Sequence, residues 1–279
     1  CMPSAINRTD VRYFMYHDHM HLVIDTRLPG GVRRITLNRP EAKNAFDAEM
    51  MQAISQSFRD AAKDPETRGV VLSGAGSHFC AGGDIEWMKE TLAASQMLKR
   101  ERAQAVSDML GSVHALPQPL VAEVKGAAMG GGFGLVCCAD FVVADSRAKF
   151  ALSETRLGIV PAAISPYVVA ALGVRRANRL ALAGTLIDAQ EAKELGLATH
   201  VAAPGGTAEA VDSLLHELLC SATGAQRLTK ALFRQMASPV SDERNAALAV
   251  EALVNAWNQQ EAIAGLDAFL NKAAPPWRA

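Results

Sequence analysis

The segment Met129-Gly130-Gly131-Gly132-Phe133-Gly134 constrains this chain more than any other. Three successive glycines strip the Cβ atoms from one turn of backbone. Such a turn can lie against a ligand or another backbone and present bare N–H groups to it. A carboxylate, Glu154, follows twenty residues beyond Gly134. A glycine-lined apolar turn followed by an acid reads as a site that holds a developing oxyanion and moves a proton.

A second turn has the same character. Phe79-Cys80-Ala81-Gly82-Gly83-Asp84 follows the apolar run Gly69-Val70-Val71-Leu72 and precedes a helical pattern from Ile85. N–H donors aimed at charge developing on a carbonyl oxygen contribute roughly 3 kcal/mol each to catalysis. Two strand-to-helix turns can supply one donor apiece. Neither turn is a phosphate loop. Gly74-Ala75-Gly76 runs into Ser77-His78-Phe79 without the third glycine of a dinucleotide fingerprint, and no Gly-Lys-Ser/Thr follows either cluster.

The 279 residues, 49% of them hydrophobic, are enough for a sizeable core. With 28 basic and 29 acidic residues the net charge is −1. That balance gives no reason to expect nucleic acid or an anionic membrane as partner. No apolar run approaches the roughly 20 residues that span a bilayer. The stretch from Cys1 to His21 lacks the apolar core of a signal peptide. Cys80, Cys137, Cys138 and Cys220 form no Cys-x-x-Cys pair and read as small buried hydrophobes in a reducing compartment, so a cytoplasmic location is expected. His17, His19 and His21 alternate, but nothing completes a metal site around them, and they read as an N-terminal strand or tail.

Pro29-Gly30-Gly31 between Leu22-Val23-Ile24 and Val32–Leu37 predicts a hairpin. Asp47 is a plausible N-cap for a helix carrying Met50, Met51, Ile54 and Phe58 and ending at Asp64-Pro65. Strands are expected at 70–73, 120–124, 141–144 and 149–151. One long helix is expected from Ile85 to about His114, and a shorter one near Gly132. Further helices are expected at 164–172, 175–183, 189–195, 208–219, 225–236 and 242–269. Alternation first and helices afterwards indicates an α/β core with a helical tail. Pro204-Gly205-Gly206 is the best boundary, dividing a core at 1–205 from a helical region at 206–279.

Several of these pieces occur together in one known family. Leu37-Asn38-Arg39-Pro40 with Asn44-Ala45, Phe79–Ile85, Gly130–Gly132, and Phe150…Glu154…Leu157-Gly158-Ile159-Val160-Pro161 stand in the family's order. Over about residues 20 to 275 the chain resembles the enoyl-CoA hydratase/isomerase (crotonase) superfamily. The resemblance implies a spiral of ββα units with a C-terminal helical trimerisation module, assembled as trimers or dimers of trimers. It implies an acyl-CoA thioester as substrate and no further cofactor or metal. The N–H groups of Gly83 and Gly131 would grip the thioester oxygen, and Glu154 matches the second of two catalytic glutamates. Lys43, Ala45, Ala81, Asp84, Ile85, Trp87, Ile164, Phe269 and Lys272 match CoA- and acyl-binding positions. Asp84 also reads as the cap of the helix from Ile85. Glu86 stands where many relatives carry a basic residue, which removes one expected pyrophosphate contact.

Gly134 departs from the pattern, standing where the first glutamate is expected. The readings that follow are a hydratase using Glu154 alone, an isomerase shuttling a proton from Cγ to Cα through Glu154, or transfer of the first role to another acid. Glu123, inside an apolar strand, is the nearest such acid, with a structural pairing as its alternative. The stretches Gly131–Leu135, Ser153–Val169 and Pro275-Pro276-Trp277 resemble hydratases of branched glutaconyl-CoA, and the room expected at Gly134 suits a branched chain. Arg156, Lys89 and His78 are candidates for a distal carboxylate. The leading expectation is a hydratase of a branched enoyl-CoA. An isomerase comes second, and a non-catalytic acyl-CoA-binding protein is the reading from a different class.

Overall fold

A computed structural model describes residues 21–237, 250–256 and 258–278. Its frame is a six-stranded sheet in the order β1-β2-β3-β4-β6-β9. β1 (Val23–Leu28) and β2 (Val32–Leu37) form the expected hairpin, with Val23 opposite Leu37 and Leu28 opposite Val32. β3 (Gly69–Gly74), β4 (Leu120–Val124), β6 (Phe141–Asp145) and β9 (His200–Ala202) add in parallel. Parallel strands are covered on both faces, which is why β3 and β4 read as continuous apolar runs. A smaller sheet joins β5 (Ala127–Met129), β7 (Lys149–Ala151) and β8 (Ile187–Asp188).

One face of the large sheet carries the main core. Helix α1 (Ala48–Lys63) starts where Asp47 accepts the Met50 N–H at 3.0 Å, and it buries Met50, Met51, Ile54 and Phe58. The opposite face is closed by α7 (Thr207–Leu219), whose Val211, Leu214 and Leu215 pack on Val71, Val121 and Val143. This helix lies past the boundary read at residue 205, yet it covers the sheet. β4 alternates between the faces: Ala122 and Val124 enter the main core, and Val121 meets α7.

Three helix expectations change. The long helix from Ile85 divides into α2 (Ile85–Ala93) and α3 (Gln96–His114). Ser95 divides them, its hydroxyl accepting the Leu98 N–H at 3.3 Å as a new N-cap. The segments 164–172 and 175–183 join as α5 (Ser165–Ala183), interrupted at Gly173 with φ 74°. Within 242–269, residues 250–256 and Gln260–Leu270 are helical, with a turn at 258–259; Leu248 and Trp257 lie outside the described residues, as do His17 and His19. The chain also contains α4 (Gly131–Cys137), α6 (Ala189–Glu194) and α8 (Thr223–Met236). The strands β5, β8 and β9, two or three residues each, are not among the expected strands.

Candidate active site

The two glycine turns lie against each other. Cys80 N donates to Ala127 O and Met129 N donates to Cys80 O, each at 3.0 Å, so the turns run side by side as an isolated parallel bridge. Gly82 takes φ +95°, and a Cβ there would fall 2.8 Å from Met129 O and 3.3 Å from Gly131 N. A third strand of backbone joins them. Phe46 N donates to Gly82 O and Asp84 N to Phe46 O, both at 2.9 Å. These bonds use the groups on either side of Gly83. Gly131 opens α4, where the first N–H groups of a helix have no partner inside it. Among the described residues neither the Gly83 N–H nor the Gly131 N–H donates to a protein acceptor.

The remaining glycines are required by contact. Gly130 caps α4 with φ 49°, and Gly130 N donates to Ala151 O at 2.9 Å. A Cβ on Gly131 would sit 2.3 Å from Phe46 Cζ, and one on Gly132 2.3 Å from Cys80 O. Phe46 thus forms the floor under the Gly131 turn. It was absent from the candidates read in sequence, where it looks like any core aromatic.

Glu154 opens a short 3-10 turn, Glu154–Leu157, closed by Gly158 at φ 74°. The turn is fastened to the end of α5: Thr155 Oγ1 donates to Ala181 O at 2.6 Å, and Arg156 Nη2 donates to Ala183 O at 3.2 Å. This anchoring aims the Glu154 carboxyl at the glycine turn. Its Oε1 lies 3.2 Å from the Cβ position of Gly130. Its Oε2 is buried without a hydrogen-bond partner. Burial pushes the carboxyl above its ordinary value of 4.5. A carboxyl with one unpartnered oxygen and a raised pKa, beside the glycine turn, can take up a proton and return it.

Other expected residues fall into groups. Lys43, Ala45, Ala81 and Asp84 come together, since Ala81 N donates to Lys43 O at 3.0 Å and Arg39 Nη1 bridges Ala45 O (3.1 Å) and Asp84 Oδ2 (2.9 Å). Asp84 caps α2, accepting Glu86 N at 2.9 Å and Trp87 N at 3.1 Å. These donors and Arg39 hold its carboxyl below the ordinary range despite burial. Ile85 is exposed, while Trp87 is half-buried with its indole N–H unpartnered. Phe269 lies on the last helix, its side chain outside the described residues. Lys272 follows that helix with φ 55°, and no described contact joins it to either glycine turn.

Three expectations are corrected or closed. The room foreseen at Gly134 is filled: a Cβ there would lie 2.3 Å from Ile164 Cγ2 and 2.8 Å from Ile164 Cβ. Ile164 therefore packs over α4, and it is 2% exposed. Glu123 is tied up by Arg34, by Lys125 at 3.0 Å and by Thr207 Oγ1 at 2.7 Å, on the sheet face that α7 covers. These partners outweigh burial and hold it below the ordinary value. The distal-carboxylate candidates have other partners: His78 Nδ1 accepts Ala127 N at 3.1 Å, Arg156 binds α5 and Lys89 pairs with Glu86 at 2.6 Å. Cys80, read as a small buried hydrophobe, is wholly buried, and burial pushes its thiol up to about 12. Among the described residues no cluster of metal-ligating side chains forms.

The site thus brings two unpaired N–H groups and the half-buried Glu154 together on a mixed α/β frame. The enoyl-CoA hydratase/isomerase family model matches residues 27–279, and the chain belongs to that family. The fold is close to that of AtuE of Pseudomonas aeruginosa, with TM-score 0.88, 37% identity, and coverage of 92% of this chain and 100% of that one. An enoyl-CoA hydratase from Shewanella pealeana gives TM-score 0.88 at 31% identity, covering 92% and 96%. In sequence, the enoyl-CoA isomerase/hydratase fer4 of Mycosarcoma maydis is 33% identical over 262 residues, covering 88% of this chain and 92% of that protein. Among the described residues no helix is long and apolar enough to cross a membrane.

Proposed function

We propose that this chain hydrates a β-branched, glutaconyl-type 2-enoyl-CoA with Glu154 as its single proton carrier. The observation that carries the reading is the buried, unpartnered Glu154 Oε2 beside the Gly83 and Gly131 turns. Glu154 takes a proton from water as the water oxygen bonds to Cβ. The double-bond electrons move into the thioester, whose oxygen becomes the anion held by the two N–H groups. The enolate then takes the same proton from Glu154 at Cα, and the acid returns to its starting state. The thioester itself acidifies Cα, so the proposal needs no metal or redox cofactor.

The branched substrate rests on the resemblance of Gly131–Leu135 and Ser153–Val169 to glutaconyl-CoA hydratases, since the packing of Ile164 removes the argument from space. A trimer or dimer of trimers is part of the proposal. It is supported by the exposed Leu253, Ile263, Leu266 and Leu270 of the C-terminal helices. A monomer by light scattering at micromolar concentration overturns the assembly.

A second reading has its own observation. With Ile164 over Gly134 and Glu123 paired elsewhere, one carboxylate serves the site, and moving a proton from Cγ to Cα requires only one. Wild type and Glu154→Gln assayed on crotonyl-CoA, 3-methylglutaconyl-CoA and a 3-enoyl-CoA, with products resolved by mass, separate the readings. Water uptake on the branched substrate, lost in Glu154→Gln, is expected. Double-bond migration without water makes the chain an isomerase, and retained binding without turnover makes it a binding protein.

A further inference from the structure

We infer that Ile164 is the residue that confines this site to one carboxylate, acting as a specificity determinant through Gly134. Gly134 lies one turn along α4 from its N-cap Gly130, and Gly134 N donates to Gly130 O at 3.0 Å. At that N-cap stands the Glu154 carboxylate, 3.2 Å from the Cβ position of Gly130. A longer side chain at 134 would therefore start one turn from the Gly130 position that faces Glu154. Ile164 Cγ2 and Cβ occupy its path at 2.3 and 2.8 Å, with Leu110 Cδ2 behind at 3.5 Å.

The obstruction is built into the backbone. A rotamer change can swing Cγ2 aside, but Cβ stays where the main chain puts it. That main chain is the start of α5: Ile164 O accepts both Tyr167 N and Val168 N at 3.1 Å. Gly134 and Ile164 are thus a matched pair. An acid at 134 requires a smaller residue at 164, and Ile164 requires glycine at 134. The consequence for chemistry rests on the proposed function, whereas the steric pairing does not.

Two measurements test the halves separately. In the first, Gly134→Ala is melted in wild-type, Ile164→Ala and Ile164→Gly backgrounds. Glycine is tolerated at 164 because that position caps α5. Gly134→Ala is expected to lower Tm by roughly 4–8 °C with Ile164 present. The loss should be smaller with Ile164→Ala and less than half as large with Ile164→Gly. An equal loss in all three backgrounds overturns the pairing. In the second, Gly134→Glu is combined with Ile164→Gly in the Glu154→Gln protein. At least ten-fold recovery of turnover over Glu154→Gln is expected, with an ionisation in kcat/KM that Glu154→Gln lacks. Gly134→Glu without the change at 164 should not recover. Recovery with Ile164 intact, or no recovery when the folded double change is present, overturns Ile164 as the determinant. A wild type inert on every enoyl-CoA defeats the proposed reaction, and the melting series still decides the pairing.

Discussion

Glu123 on β4 and Glu154 on the turn after β7 are both withdrawn from water, yet their surroundings are opposite. Glu123 sits among donors drawn from three elements: Arg34 of β2, Lys125 just past β4 and Thr207 at the start of α7. Its carboxyl is held below the ordinary value. Glu154 has one oxygen against a glycine and the other without a partner, and its carboxyl is pushed up. A charge buried with donors locks elements together. A charge buried without them costs stability and is expected where a ligand completes the set. Glu123 is therefore expected to act structurally and Glu154 chemically.

The largest effect should fall on turnover. Glu154→Gln keeps the shape and removes the proton carrier, so kcat on the substrate that wild type turns over should drop by about 10²–10⁴-fold, with the fold intact by circular dichroism. A fall below ten-fold would make Glu154 a bystander and break the contrast at once. Glu123→Gln should do the reverse. It leaves Arg34 and Lys125 without their common anion and should cost about 2 kcal/mol by denaturant unfolding. It should move kcat/KM by less than three-fold. A large loss of kcat in a folded Glu123→Gln protein would return Glu123 to the list of catalytic acids.

Much of this was legible in the sequence because its signals are local. Glycines adjacent in the chain mark both turns, Asp47 and Asp84 announce their helices, and Glu154 stands twenty residues beyond Gly134. What was not legible is contact between distant segments. Phe46 under Gly131 and Ile164 over Gly134 join residues 85 and 30 positions apart, and neither residue differs in kind from a core residue. The space inferred at Gly134 failed for this reason. A missing side chain in a sequence shows what one residue lacks and not which neighbour fills the gap. Glu123 was marked as unusual because an acid interrupts an apolar strand, but its partners lie on separate elements and only the fold brings them together.

The two acids should also differ in how pH acts on stability. A carboxyl held below 4.5 adds stability above that pH, and the addition is lost as pH falls through its native value. Glu154 has the other sign. Its native value lies above 4.5, so stability is greatest in acid and falls as pH rises through that value. Glu123→Gln should therefore melt below wild type by most at pH 7, the gap closing below pH about 4.5. Glu154→Gln should match wild type near pH 4 and melt a few degrees above it at pH 7. The acid limb of kcat/KM should follow the same raised ionisation, activity falling as Glu154 becomes protonated. Two gaps of the same sign across this range would erase the distinction.

The smallest effect refines the structural side. Thr207 is fully buried at the first position of α7, and its hydroxyl donates to Glu123 Oε1 at 2.7 Å. Thr207→Val keeps the branched shape and removes that one bond, while Lys125 still reaches the same oxygen at 3.0 Å. A loss of about 1 kcal/mol is expected, with kcat/KM unchanged. A loss as large as that of Glu123→Gln would mean that the hydroxyl is the main tie between α7 and the sheet and that the cations contribute little. No loss would mean that Arg34 and Lys125 satisfy Glu123 by themselves and that Val211, Leu214 and Leu215 hold α7 by apolar packing alone.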